Sequence, residues 1–209
     1  MSGEGFDLSV VSRETLETLR KFSETVSHWT KSINLIAEST VDEIWARHIL
    51  DAAQILHYTP TNPQIWCDLG SGAGFPGIVA AIINREIAPD CSHVLIESDR
   101  RKGAFLTLQA KALGLRCKVV VDRIEMAAPV GADIVTSRAL APLPKLLAYA
   151  GRHGNHSATY IFPKGQGAST EVETARLEHD FDLVTHPSKT DPHGSILFIT
   201  NLTPRRVQA

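Results

Sequence analysis

Three cysteines, at positions 67, 91 and 117, are too few and too scattered for a disulfide framework or a zinc site. They are expected to be reduced thiols of the core. No apolar run approaches the roughly 20 residues that a bilayer span requires. The longest runs only from Ile78 to Ile83. Residues 1–10 carry Glu4 and Asp7 and no apolar stretch, so no secretory leader is expected. Without one, the sequon Asn155-His156-Ser157 carries no meaning. His153 and His156, and the evenly spaced His179, His186 and His193, lack carboxylate or cysteine support at ligand spacing, so no metal is expected. There is no internal repeat, no low-complexity tract and little net charge, −2 at pH 7. What remains is a cytoplasmic globular chain with no membrane association, expected to be a monomer. Its 209 residues, 43% hydrophobic and 21% charged, can bury a sizeable core.

The most informative segment present is Asp68-Leu69-Gly70-Ser71-Gly72-Ala73-Gly74-Phe75-Pro76-Gly77. Gln64 to Cys67 before it, apolar from Ile65, read as the end of a buried strand, and Ile78 to Ile83 after it read as a packed helix. Glycines at a strand-to-helix turn permit positive φ and let a ligand approach the backbone, while the new helix presents free N–H groups. Two ligands compete for this loop. Gly72, Gly74 and Gly77 match the dinucleotide pattern GxGxxG, with Glu97 about twenty residues on to hold a ribose. Read as Asp68-x-Gly70-x-Gly72, the same letters suit S-adenosylmethionine. A carboxylate beside the first glycine repels a pyrophosphate but attracts an ammonium and a sulfonium. A charge-assisted bond from Asp68 to that cationic end is worth roughly 1.5–3 kcal/mol. Glu97 serves the ribose in either case.

Leu16, Leu19, Phe22, Val26 and Trp29 recur at helical spacing after Ser12, predicting an amphipathic helix over 12–30. Thr40 to Glu43 has the form of a capping box, followed by Ile44, Trp45, His48, Ile49, Ala52 and Ile55 on one face of a second helix. Tyr58 to Pro63 breaks the chain, so 1–60 is read as a helical extension packed on a main domain of residues 61–209. Strands are expected at His93–Glu97, Cys117–Val121, Ala132–Thr136, Thr159–Phe162, Phe181–Thr185 and Ile196–Asn201, with helices between several of them. This alternation predicts an α/β, Rossmann-like, mostly parallel sheet. The last two strands, joined by only His186 to Gly194, are expected to form an antiparallel hairpin.

Charge is unevenly spread. Ser98–Arg123 holds seven basic residues against two acids, a candidate footprint for an anionic polymer, although a plain solvated helix face would read the same. Residues 171–182 are acidic and read as a face turned away from any polyanion.

The whole motif set resembles the bacterial small-subunit ribosomal RNA guanine-N7 methyltransferases, also called glucose-inhibited division protein B. The resemblance spans about residues 25–200. It rests on Trp29-x-Lys31-x-x-Asn34-Leu35, Arg47-His48-Ile49-Leu50-Asp51, the Asp68–Gly77 loop, Arg101-Lys102-x-x-Phe105-Leu106, Arg123-Ile124-Glu125, Ser137-Arg138-Ala139 and Lys164-Gly165. Ile36 stands where many members have Thr, and Glu97 where Asp is common.

The resemblance implies a class I methyltransferase fold and methyl transfer from S-adenosylmethionine to N7 of a guanine in the 530 loop of 16S rRNA. With no RNA-binding accessory domain beyond the 1–60 extension and an acidic 171–182 segment, the expected substrate is a small ribosomal subunit particle rather than naked rRNA. The resemblance places Gly70, Phe75, Ile124, Glu125 and Arg138 at cofactor positions, beside Asp68, Gly72 and Glu97 from the loop reading. Candidate RNA contacts are Arg47, His48, Arg101, Lys102, Arg123 and Lys164. Arg47 and His48 could equally hold the extension to the sheet, and Arg138 could anchor the cofactor or meet a guanine edge. No Asn/Asp-Pro-Pro-aromatic run, as amine methylation of nucleic acids uses, follows the strand at 132–136, and no cysteine nucleophile lies there. Guanine N7 presents a lone pair and needs no general base, so no catalytic acid or base is assigned. An NAD-dependent oxidoreductase and a noncatalytic RNA- or ribosome-binding module are the alternatives.

Overall fold

The computed structural model describes residues 8–205, so Glu4 and Asp7 lie outside the described residues. A seven-stranded sheet runs in the order β3-β2-β1-β4-β5-β7-β6. Its strands are β1 (Ile65–Leu69), β2 (Ser92–Ile96), β3 (Cys117–Val120), β4 (Ala132–Ser137), β5 (Gly154–Lys164), β6 (His179–Pro187) and β7 (Ser195–Pro204). The first five are parallel, and β7 runs antiparallel between β5 and β6. The chain builds outward from β1 through β2 to β3 and returns to β4 on the other side. The order therefore reverses between β1 and β4, and a crevice opens beyond their carboxyl ends, where open α/β sheets bind ligands.

Helices α1 (Arg13–Ile33), α3 (Gly77–Ile87) and α4 (Arg100–Ala112) cover one face, and α5 (Leu143–His153) and α6 (Ala168–Glu178) the other. Side chains alternate along each strand, so β1 sends Trp66 into the first core and Cys67 and Leu69 into the second. Ser12 caps α1 by accepting from the Thr15 amide, as its spacing predicts, and Asn34 ends the helix in the left-handed region at φ 49°. The amino-terminal helices share the first core, where Leu19, Phe22, Val26, Ile49 and Ile55 pack with Ile78 and Ile82. Thr15 and the Ser12 amide also grip Glu86 of α3, at 2.7 and 3.0 Å.

The second helix departs from expectation. Instead of a regular helix with a capping box, the chain makes a 3-10 turn at Glu38–Thr40 and a π-helical stretch at Trp45–Leu50. A short α2 (Asp51–Gln54) and a 3-10 turn at Ile55–Tyr58 follow. The Thr40 hydroxyl donates to the Ala37 carbonyl and Glu43 pairs with Arg47, so neither closes the box. The wider π turn aims His48 and Asp51 together at Arg138, a local alternative that propensity does not announce. Strand β5 is longer than predicted, because α5 runs straight into it at Gly154. The cysteines are free, Cys67 and Cys91 buried and Cys117 half-buried.

Candidate cofactor cleft and its arginine wall

Main-chain groups hold the glycine loop. Gly70 turns at φ +65°, and a Cβ there would lie 2.7 Å from Leu140. The Gly70 and Ser71 amides donate to the Ile96 carbonyl, and the Gly72 amide donates to Glu97 Oε2 at 2.8 Å.

Asp68 stands beneath the loop rather than in the cleft. It is fully buried; Thr136 donates its hydroxyl to Oδ1 at 2.7 Å, and the Gly77 amide, at the start of α3, donates to Oδ2 at 3.2 Å. Trp66 Nε1 in turn donates to Thr136 Oγ1 at 3.0 Å. Gly77 is required at that spot, because a Cβ would come 2.7 Å from Asp68 Oδ2. Burial pushes the Asp68 carboxyl up to about 6 against the pull of its hydrogen bonds. Asp68, expected to meet a cationic ligand directly, has no exposed surface in the cleft. Its oxygens are spent pinning strand, loop and helix together.

Above the loop lies a cleft of about 460 Å³, within the range of about 300–1,000 Å³ of small-molecule sites. Gly70, Gly72, Phe75, Glu97, Ile124, Glu125 and Arg138, predicted as cofactor residues, all line it. Glu97 also accepts from the Asp99 amide at 2.8 Å, which fixes its carboxylate at the end of β2. Asp99 then caps α4 through the Arg101 and Lys102 amides and brings Lys102 to the rim. His153 donates Nε2–H to the Ile124 carbonyl at 3.0 Å, holding that loop over the cleft. The donor set suits S-adenosylmethionine, with an anchored carboxylate for ribose hydroxyls, a buried aliphatic side chain for a flat base, and a glycine turn approachable by the rest.

Arg138 forms the far wall. Its Nη1 donates to Asp51 Oδ2 at 3.2 Å and to the Arg47 carbonyl at 3.3 Å, and Nη2 donates to His48 Nδ1 at 2.8 Å. Because the guanidinium only donates, His48 is neutral with its proton on Nε2, which donates to Thr40 Oγ1 at 3.0 Å. Phe75 supports both, stacked with the His48 ring at 5.1 Å and lying 5.3 Å from the Arg138 guanidinium. The next residue, Ala139, is held at φ 52°, a strained conformation for a side chain with a Cβ. Sequence reasoning does not single out Asp51, Gln54, Thr190 or Leu140 for a site role. Asp51 closes the Arg47–Asp51 motif, but its role depends on a partner 87 residues away.

The RNA candidates divide. Arg101, Lys102 and Arg123 gather at the carboxyl edge of the sheet; Arg123 pairs there with Glu125 at 2.8 Å. Arg47 is exposed and paired with Glu43 at 3.3 Å, whereas His48 is committed to Arg138 and Thr40. Lys164 is engaged within the protein: its side chain is 11% exposed, and its ammonium donates to Glu171 at 2.7 Å and to the Ala141 carbonyl at 2.8 Å. It braces the loop after β4 and lines a neighbouring cleft. The basic run is also not one patch. Lys111 closes α4 and Arg116 precedes β3, both at the opposite edge of the sheet, where Arg116 lies 3.7 Å from Asp90. In the acidic segment, Glu171 faces inward, accepting from Lys164 and the Leu143 amide, while Glu173, Glu178, Asp180 and Asp182 are exposed.

Among the described residues no helix is long and apolar enough to cross a membrane. Solved structures share the fold. A SAM-dependent methyltransferase from Aquifex aeolicus superposes with a TM-score of 0.60 at 13% identity, over 81% of this chain and 96% of its own. M. jannaschii TYW2, in complex with AdoMet, gives 0.55 at 11% identity, over 82% and 78%. Curated relatives named ribosomal RNA small subunit methyltransferase G include one from Cereibacter sphaeroides, 46% identical over 90% of this chain and 91% of its own. One from Paramagnetospirillum magneticum is 42% identical over 96% and 95%. The family model described as rRNA small subunit methyltransferase G matches residues 15–193. The chain belongs to that family, and S-adenosylmethionine is its cofactor.

Proposed function

We propose that the chain methylates N7 of a guanine in the 530 loop of 16S rRNA, presented within a small ribosomal subunit particle. The coarser activity, S-adenosylmethionine-dependent methylation of 16S rRNA, is that of the family to which the chain belongs. Membership sets aside the oxidoreductase and the noncatalytic module. One observation carries the finer reading. The wall of the cofactor cleft beyond β4, Arg138 to Ala141, carries no carboxylate, thiol or imidazole of its own, and the Asp51 carboxylate behind it is engaged by Arg138, Gln54 and Thr190. The nearest imidazole, His48, has both ring nitrogens engaged. Such a site suits a nucleophile that already carries a free lone pair, as guanine N7 does.

The bound cofactor supplies an electrophilic methyl on a sulfonium. The protein supplies position, from which about 7–11 kcal/mol of a barrier can come. Glu97 and the Gly70–Gly74 turn would hold the cofactor's ribose and tail, Ile124 and Glu125 would receive its base, and Phe75 with Arg138 closes the far end of the cleft. Arg101, Lys102 and Arg123 offer cations at the carboxyl edge, while exposed Glu173, Glu178, Asp180 and Asp182 repel RNA elsewhere. With that acidic face and no RNA-binding accessory domain beside the amino-terminal helices, naked RNA would bind weakly, and a particle that preorganises the target loop lowers the ordering cost.

Purified protein, labelled cofactor and unmodified small subunits should yield N7-methylguanine in the 530 loop by mass spectrometry, faster than protein-free 16S rRNA does. Methylation of another atom would remove the N7 assignment, and equal rates on free rRNA would remove the particle.

A further inference from the structure

A second cleft, of about 430 Å³, lies against the first and shares Arg138 to Ala141 with it. Its other walls are the end of β5 at Pro163 to Gly165 and the turn between β6 and β7. That turn is built, not loose. The Lys189 amide donates to Gln54 Oε1 at 2.8 Å, and Gln54, 4% exposed, donates to Asp51 Oδ1 at 2.8 Å and to Thr190 Oγ1 at 3.0 Å. Thr190 closes the ring by donating to the same Asp51 oxygen at 2.6 Å. Through Asp51, the turn is fixed to Arg138.

Asp191 and Arg138 both line this cleft with spare capacity, beside Glu171 Oε1 and the third Lys164 N–H. Asp191 Oδ1 accepts from the His193 amide at 2.9 Å, while Oδ2 has no partner among the described residues. Arg138 has three of its hydrogen bonds made, which leaves Nε–H and one Nη2 hydrogen unused among the described residues. A carboxylate acceptor and a guanidinium donor thus stand on the walls of a cleft that opens onto the cofactor cleft.

We infer that this second cleft receives the target guanine, with Asp191 accepting from its N1–H and exocyclic amino group and Arg138 donating to O6. The inference rests on the guanine-N7 reading above. Guanine carries O6 next to N7, so a donor on O6 leaves the N7 lone pair turned toward the cofactor cleft. Adenine reverses both contacts, setting its amino group against the arginine and its bare N1 against the carboxylate. A site built to hydrogen-bond one base edge rejects the other because its own polar groups go unpaired. The cost of unstacking a base, a few kcal/mol, falls when the target loop is already held open. A single side chain thereby forms a wall of both clefts, and the clamp through Asp51 keeps that wall and the Asp191 turn in one register.

Asp191→Asn keeps the acceptor for the His193 amide and replaces the oxygen facing the cleft by an amide N–H₂. In small subunits reconstituted with guanine at the target, kcat/KM should fall about ten- to a hundredfold, while the cofactor dissociation constant stays within about twofold. Subunits carrying inosine, which lacks the exocyclic amino group, should be poorer substrates for the wild type by roughly tenfold and make less than about a twofold difference to Asp191→Asn. An unchanged kcat/KM in the variant, an inosine penalty equal in both proteins, indifference of the wild type to inosine, or loss of cofactor affinity in step with rate would each overturn the assignment. A wild type that fails to methylate N7 on guanine subunits would instead remove the reading beneath it.

Discussion

The two sides of the cofactor cleft are built by opposite means. On the glycine side, amides do the holding: Gly70 and Ser71 to Ile96, Gly72 and Asp99 to Glu97, Gly77 to Asp68. On the arginine side, side chains hold side chains across 87 to 136 residues of sequence, from Arg138 to Asp51 and His48 and from Gln54 to Thr190. A main-chain scaffold is indifferent to most substitutions except at glycine and at the acids that receive its amides. A side-chain scaffold fails one residue at a time.

The largest test of this contrast is at Asp68. Asp68→Ala leaves the Thr136 hydroxyl and the Gly77 amide without an acceptor in a dry site. The expected cost is about 2–4 kcal/mol of stability by urea denaturation, with weaker cofactor binding as the loop relaxes. Asp68→Asn retains one acceptor oxygen and should recover most of the stability. If Asp68→Ala is as stable as the wild type yet binds cofactor poorly, the carboxylate touches the ligand after all and the buried-pin account is wrong.

Next in size is Asp51→Ala, which strips an acceptor from Arg138, Gln54 and Thr190 at once. About 1–3 kcal/mol of stability should go. The sharper readout is the split, because kcat/KM on small subunits should fall several times more than cofactor affinity. An equal fall in both would assign the clamp to the cofactor side and erase the contrast.

Legibility in the sequence follows the same division. The strands are readable because each is a short apolar run between turn residues, and the glycine loop because its backbone needs particular residues at particular spacing. Ser12 reads as a cap because the hydroxyl and its amide lie three residues apart. The π-helical stretch at Trp45–Leu50 does not announce itself, since its amphipathic pattern is that of an ordinary helix and only Arg138 distinguishes the two. Lys164 resembles a phosphate contact for a similar reason: nothing near it in the sequence shows that the Ala141 carbonyl and Glu171 enclose it. Asp68 misleads differently. Sequence gives no direction to a side chain, and this one points under the loop.

Lys164 also separates the two kinds of cation. Arg101→Ala with Lys102→Ala should weaken RNA binding and lower the log–log salt slope by about 0.7–0.9 for each phosphate no longer neutralised, at little cost in stability. Lys164→Ala should do the reverse, leaving the slope unchanged and lowering stability by about 1–3 kcal/mol through the carboxylate of Glu171 left half-buried and unpaired. A flattened slope in Lys164→Ala would return that residue to the RNA surface.

The smallest effect, and the finest probe of the arginine side, is the charge on His48. Burial first, and then the neighbouring Arg138, hold its imidazole down at about 4, below the ordinary 6.5. Protonation would cost the bond from Arg138 to Nδ1 and set two cations face to face. The folded state thus binds this proton less tightly than the unfolded chain. The stability it contributes is full above pH 6.5 and is lost as pH falls toward about 4. His93, buried beside Asn84 and also held at about 4, acts in the same direction. Asp68, raised to about 6, opposes them by favouring the fold as pH drops from about 6 to 3.8. Two imidazoles against one carboxyl make the net loss run with acidification. His48→Gln keeps an oxygen to accept from Arg138 and an N–H to donate to Thr40, so at pH 7.5 it should cost less than about 1 kcal/mol. Between pH 6.5 and 4 its stability should fall less steeply than that of the wild type, the slopes differing by up to one proton, about 1.4 kcal/mol per pH unit. Urea denaturation across that window checks this, and parallel curves for the two proteins would show that His48 is charged in the fold and that Arg138 is held by Asp51 and the Arg47 carbonyl without it.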